Sequence, residues 1–310
     1  MGKRSALQQE RIQSEREMDV FKRNDMIQKA RFNLSVVEQR SVLYAISKIK
    51  PGDTHLKEYT FDIKDLYGVI GWKKESYTEF KAMLKKLRDR SWWILMQDGE
   101  TESAVSWFST VRSNKKTGKV TIKFHEDMMP YLIQLAEQNV FYTSYNLKYI
   151  LPMSCQYSPR LYEILKSYKL NNLDWFFDVE KLKYLLDCQN YERFPDFRRF
   201  VLEPAVEEIN KYTDLQIAYK CEKEGRRVAR ITFRMFAKTE KELFETQKTI
   251  QDKLDGQLDI FSIQEELSHD PLLKLTQERK KTILQEEYEE SQKREKEQLR
   301  QLEIERSWRK

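Results

Sequence analysis

Residues 194–236 read FPDFRRFVLEPAVEEINKYTDLQIAYKCEKEGRRVARITFRMF and set a basic helix directly before a basic hairpin. Asp196 is a suitable N-cap, and Phe197, Val201, Leu202, Ala205, Val206 and Ile209 recur at intervals of three and four, which marks one buried helix face. Arg193, Arg198 and Arg199 cluster at the helix start. Glu203, Glu207 and Glu208 come later, so the N-terminal end is the part suited to a polyanion. Pro204 falls inside the helix and predicts a kink or a missing backbone bond. Beyond it, Leu215, Ile217, Tyr219 and Cys221 alternate on one strand and Ala229, Ile231, Phe233 and Met235 on the next, with Arg230, Thr232 and Arg234 facing the other way. The turn over 222–227 carries Lys223, Arg226 and Arg227. A helix followed by a basic hairpin is the outline of a winged helix, in which the helix enters a major groove and the hairpin lies along the backbone.

The same order of elements occurs earlier in the chain. Ser35 with Glu38 three residues on starts a helix carrying Val42, Leu43, Ile46 and Ile49, which Pro51 and Gly52 stop. Tyr59 and Phe61 predict a short strand. A short helix over 62–69 and a second over 75–90, with Phe80, Met83, Leu84 and Leu87 inward, come next. Lys74, Thr78, Lys81, Lys85 and Arg88 form a separate stripe on the second helix. Trp92 to Leu95, then Val105 to Val111, then Val120 to Phe124 predict three strands, and the last turn holds Lys115, Lys116 and Lys119. Of the adjacent Trp92 and Trp93, one is expected to face a core and the other outward. The second unit repeats this pattern with a helix from Ser158 and Pro159, a strand at Phe176 to Val179 and a helix over 180–186. The expected fold class is therefore α+β: two tandem winged-helix domains and a charged, largely helical C-terminal extension.

Composition narrows the function. With 310 residues and 40% hydrophobic content the chain can bury more than one core. The formal charge is +6, and residues 262–310 hold 12 Asp plus Glu against 11 Lys plus Arg, so the positive excess sits before them. That balance favours nucleic acid or another acidic partner. Cys155, Cys188 and Cys221 are far apart and lack ligand spacing, so they read as free thiols, and no cofactor is expected. No apolar run is long enough for a bilayer, and the first residues lack a signal peptide's apolar core, so a cytoplasmic protein without membrane contact is expected.

Further matches are specific in combination: Asn24 and Asp25, the run Ala30 to Ser35, Glu38 with Gln39, Lys86 to Asp89 before Trp92, Ser158 to Leu165, and Leu202 to Asn210 including Pro204. Together they resemble iteron-binding plasmid replication initiators over residues 24–238. The resemblance implies a first winged-helix domain over 24–140 that adds backbone contacts and forms a dimer interface, and a second over 141–238 that grips repeated origin sites through its recognition helix. It also implies a dimer that represses the protein's own promoter, and recruitment of a host initiator or helicase. Residues 1–23 are left as an N-terminal arm, a marginal helix or disordered, and 239–310 as a charged linker and solvated helical tail.

The DNA-contacting candidates are Arg193, Arg198 and Arg199 for bases and phosphates, the helix stripe Lys74, Lys81 and Lys85, and the two wings, Lys115, Lys116 and Lys119 in the first and Lys223, Arg226, Arg227 and Arg230 in the second. The bland alternative is surface arginines paired with Glu203 or Asp196. Gln257, Leu258, Asp259, Ile260 and Phe261 resemble the short motif by which bacterial replication proteins bind the sliding clamp, with a helix edge folding back as the alternative. A nicking enzyme would need clustered histidines, but His55, His125 and His269 are widely separated. A phosphate loop is absent around Gly118 and Lys119, which argues against an ATP-driven helicase. A DNA-binding transcription regulator without a replication role stays open.

Overall fold

Two copies of one small unit carry the architecture. The computed structural model describes residues 6–50, 53–72, 77–95, 98, 100–135, 140–169 and 174–268. In the first copy, helix α3 (Val36–Ile46) starts on Ser35, whose hydroxyl accepts from the Glu38 N–H while the Glu38 carboxylate accepts from the Ser35 N–H. This reciprocal cap satisfies two donors that the first helical turn would otherwise leave without partners. Strand β2 (Glu58–Asp62) leads into α4 (Ile63–Ile70), which Asp62 caps and Gly71 closes at φ 67°. Helix α5 (Tyr77–Asp89) buries Phe80, Leu84 and Leu87.

The strands after α5 differ from the expected three. Strand β3 (Ser91–Leu95) pairs with β4 (Glu102–Ser106) as a separate two-stranded ribbon, and only β5 (Phe108–Asn114) and β6 (Lys119–Phe124) join β2, in the order β2-β6-β5. The expected single strand over 105–111 breaks because Trp107 and Phe108, adjacent in sequence, are both buried, at 1% and 0% exposure. Strict alternation cannot bury two successive side chains on one sheet face, so the chain changes sheets there. Trp92 is buried and Trp93 is 62% exposed, as the strand pleat requires.

The second copy follows the short helix α6 (Met129–Leu132) and strand β7 (Tyr142–Asn146). Helix α7 (Ser158–Tyr168), β8 (Asp174–Asp178), α8 (Val179–Leu185), α9 (Phe194–Phe197), α10 (Glu203–Tyr212), β9 (Leu215–Glu224) and β10 (Arg227–Ala237) complete it. Its sheet order β8-β10-β9 reproduces β2-β6-β5. Ile231, Phe233 and Met235 form the inner face of β10, all fully buried.

Three expectations need correction. First, residues 6–23 are not an arm. Helix α1 (Ala6–Arg16) packs on α4, and β1 (Asp19–Arg23), which leads into α2 (Asn24–Lys29), pairs antiparallel with β7 from Asp19 opposite Asn146 to Arg23 opposite Tyr142. Ile12 and Val20 are fully buried and Lys22 is 1% exposed, beside Glu163 of α7. A sequence reading that counts lysine as solvent-facing misses this strand, because burial of Lys22 depends on a carboxylate 141 residues away.

Second, the helix thought to start on Asp196 starts a turn earlier. Arg193 occupies the N-cap without a side-chain cap and Pro195 sits in the first turn, where its fixed φ suits helix entry. Between α9 and α10 the chain makes a wide turn over Arg198–Leu202, in which the Glu203 N–H donates to the Arg198 carbonyl five residues back. Pro204 is the physical reason: it has no N–H to offer the Phe200 carbonyl, so the ladder opens by one residue.

Third, the segment from 239 is not a linker. Helix α11 (Glu240–Ser268) begins with a Thr239–Glu242 capping box. It buries Thr246, Ile250 and Leu254, and Gln251 accepts from Gln13 of α1 at 3.1 Å. The side chains of 256–268 and all of 269–310 lie outside the described residues, including most of the expected solvated tail.

Candidate nucleic-acid interface

In the second unit, the wide turn before α10 lifts three consecutive exposed side chains, Arg198, Arg199 and Phe200, above the buried Val201 and Leu202. The Arg198 Nε donates to Glu203 Oε1 at 2.7 Å. Hydrogen bonds to Tyr219 of β9 and to Glu203 raise the Arg198 pKa above its ordinary value. The guanidinium is thus fixed between its own helix and the wing. Arg199 lies over the Phe200 ring at 5.2 Å, and Phe200 stacks on Tyr191 at 6.1 Å with an interplanar angle of 29°. Arg193 stands at the head of α9, 4.0 Å from Asp196. The bland alternative therefore holds in part: Arg198 and Arg193 each have an acidic neighbour on their own helix. Both pairs are solvent-exposed, and exposed pairs of this kind contribute little and exchange readily for a phosphate.

The second wing sorts its cations into two sets. Along β10, Arg234 makes two 2.7 Å bonds to Asp174, Arg230 lies 3.6 Å from Asp178, 3.9 Å from Glu222 and 4.4 Å over Phe176, and Arg227 lies 3.5 Å from Glu180. These form a ladder with β8, β9 and α8. Lys223 and Arg226 at the tip carry no ion pair among the described residues. Gly225 supplies the turn with φ 62°, and a Cβ there would meet nothing within 4 Å, so the demand is conformational.

In the first unit, the helix stripe and the wing converge. A cavity of about 610 Å³ opens between α5 and β5, with Lys81, Lys85, Arg88 and Lys115 on its walls. Tyr77 and Ser113 hydrogen-bond at 2.5 Å across the helix–wing joint. Lys85 reaches Asp89 at 2.7 Å and Lys81 sits 5.7 Å over Tyr77. The Asn114 side chain accepts from the Lys116 N–H at 3.0 Å and shapes the wing tip, while Lys119 faces Asp62 across β2 and β6. Lys74 lies outside the described residues. In the sequence the stripe and the wing are separate candidates, and neither Phe200 nor Tyr219 stands among them. Phe200 was absent from the apolar spacing of the buried face, which was the available signal.

Among the described residues, no three His, Cys, Asp or Glu side chains are arranged to hold a metal ion. Nor is any helix among the described residues long and apolar enough to cross a membrane.

Comparisons with known proteins agree with this duplicated unit. Residues 19–166 match the model described as Initiator Replication protein, WH1, and residues 178–235 that of Initiator Rep protein, WH2. The chain belongs to the initiator replication protein family. It is an initiator of the non-catalytic, DNA-binding kind, built on two winged-helix domains. This initiator is 22% identical over 262 residues to a replication initiation protein of Escherichia coli, covering 77% of this chain and 76% of that protein. It is 29% identical over 131 residues to the PI protein of Escherichia coli, covering 37% and 43%. Its fold resembles the crystal structure of a Pi initiator protein in complex with iteron DNA, with a TM-score of 0.58 at 20% identity, over 73% of this chain and 99% of that one.

Proposed function

We propose that this initiator binds direct repeats at a plasmid origin, placing the 194–212 helical segment of the second domain in a major groove and both wings along the phosphate backbone. The observation that carries this reading is the repetition of one basic helix-and-wing unit in a chain of the initiator family. The solved relative's iteron complex supports it by likeness of fold. In this reading Arg198 and Arg199 meet bases, Arg193 and the tip residues Lys223 and Arg226 meet phosphates, and Lys81, Lys85, Lys115, Lys116 and Lys119 add backbone contacts from the first domain. Binding several repeats at once deforms the duplex and helps expose single strands, since many contacts together offset the cost of bending. A dimer acting on an inverted repeat in the promoter, contacts with a host initiator or helicase, and clamp binding through 257–261 extend the same proposal.

Footprinting of the purified protein on its own plasmid's upstream DNA at two salt concentrations tests it. Protection repeating at a fixed spacing of whole helical turns over direct repeats is the expected result. A single protected inverted repeat would instead support a transcription regulator, and diffuse salt-labile protection would leave only non-specific binding. For the clamp contact, a peptide covering 254–264 should release or absorb heat on titration with the host clamp; a flat calorimetric trace removes that partner.

A further inference from the structure

We propose that Phe200 is a specificity residue that seats its ring against the C5 methyl of a thymine in the bound site, an inference that rests on the DNA-binding reading above. Phe200 is 49% exposed, although the two residues after it are fully buried. Large apolar side chains on a helix normally turn inward, and this one is kept out by the backbone. Its own carbonyl is the group that Pro204 deprives of a donor, and the wide turn that results puts Arg198, Arg199 and Phe200 on the outer side together. The side chain is also fixed in place: Tyr191 backs it at 6.1 Å and the Arg199 guanidinium covers it at 5.2 Å.

An apolar plate held rigid between a tyrosine and an arginine suits one feature of a major groove. Arginine reads guanine O6 and N7, and an aromatic or methyl-bearing side chain reads the methyl that thymine alone carries among the four bases. Because Tyr191 and Arg199 fix the ring beforehand, little rotamer freedom is lost on contact. Burying one methyl is worth about fourfold in affinity, since a buried CH₂ contributes about 0.8 kcal/mol and tenfold corresponds to about 1.4 kcal/mol.

The test compares two forms of the plasmid's origin fragment, one amplified with thymidine triphosphate and one with deoxyuridine triphosphate, which lacks only the C5 methyl. Wild-type full-length protein should bind the uracil fragment about fourfold more weakly, read as half-saturation of the most strongly protected site. Phe200→Ala should bind both fragments equally, at about the wild-type affinity for the uracil form. If Phe200→Ala does not fold, Phe200→Gln, which keeps a side chain of some length over Tyr191, is required to show the same equality. Equal wild-type affinity for the two fragments overturns the proposal, as does a Phe200→Ala loss that is the same size on both fragments while the wild-type preference for thymine persists. Failure of wild type to bind the thymine fragment at all overturns the DNA-binding reading itself.

Discussion

Arg198 and Arg234 are both exposed arginines with a carboxylate at 2.7 Å, yet their settings predict opposite behaviour. Arg198 stands in the wide turn beside the exposed Arg199 and Phe200, and its partner Glu203 is itself half-exposed. Exchange of Glu203 for a base edge or phosphate costs little in water. Arg198→Ala is expected to weaken specific binding by about 1–3 kcal/mol, measured by filter-binding titration, and unchanged affinity would remove it from the interface. Arg234 is held by both oxygens of Asp174 in the β8–β10 ladder, so Arg234→Ala should leave both specific affinity and the urea midpoint nearly as they were.

Helix α7 is tied along its length to acidic residues of its own unit. Glu208 of α10 accepts from the Ser154 N–H and hydroxyl, the Cys155 N–H and the Ser158 hydroxyl, at 2.6–3.1 Å, and so gathers the donors around the start of α7. Near its other end, Asp214 accepts from Tyr162 at 2.7 Å and Lys166 at 2.5 Å. Glu208→Ala leaves four donors without their acceptor and should lower stability by about 2 kcal/mol, read from the urea midpoint of the whole chain. The wings behave differently: neutralising Lys115, Lys116 and Lys119 should reduce the slope of log affinity against log salt by about one unit per lost contact. An unchanged slope would mean that the first wing stays clear of DNA. Elements of this size were legible where the signal is local. The Ser35–Glu38 cap, the alternation of β10 and the glycine turns each involve residues only a few positions apart. Strand β1 was not legible, since DVFKR shows only two apolar residues and its buried lysine makes sense only beside Glu163. Among its described side chains, helix α11 buries two apolar anchors, Ile250 and Leu254, against a charged background. Within the interface the arginines could be read from composition, but the outward Phe200 depends on a turn geometry that no spacing rule encodes.

For the whole molecule, the buried polar centre sets the response to pH. Tyr145 donates to Glu163, which Lys22 and Arg160 also approach. Burial, reinforced by the neighbouring carboxylates Glu163 and Asp214, raises Tyr145 and Tyr162 well above 10, and burial pushes Tyr149 and Tyr157 up to about 12. An unfolded tyrosine releases its proton near pH 10. Above that value the unfolded chain holds fewer protons than the folded one, so stability falls as pH rises, by about 1.4 kcal/mol per pH unit for each fully buried tyrosine. Lys48, lowered to about 8 by burial, works the other way between pH 8 and 10.5, where the unfolded chain holds the extra proton. The urea midpoint should therefore be clearly lower at pH 11 than at pH 9; equal midpoints would mean these hydroxyls are solvated.

The pairing of Asp19–Arg23 with Tyr142–Asn146 also has a meaning during synthesis. The first strand leaves the ribosome well before its partner exists, and at roughly 5–20 residues per second the wait is on the order of ten seconds. Throughout that interval Val20 has no cover and the strand edge is open to any other extended chain nearby. The newborn protein is thus most exposed to chaperone capture and to tangling with its neighbours on the same messenger before its first domain can close, which makes the rate of translation through the first 146 residues a control on how much working initiator a cell obtains.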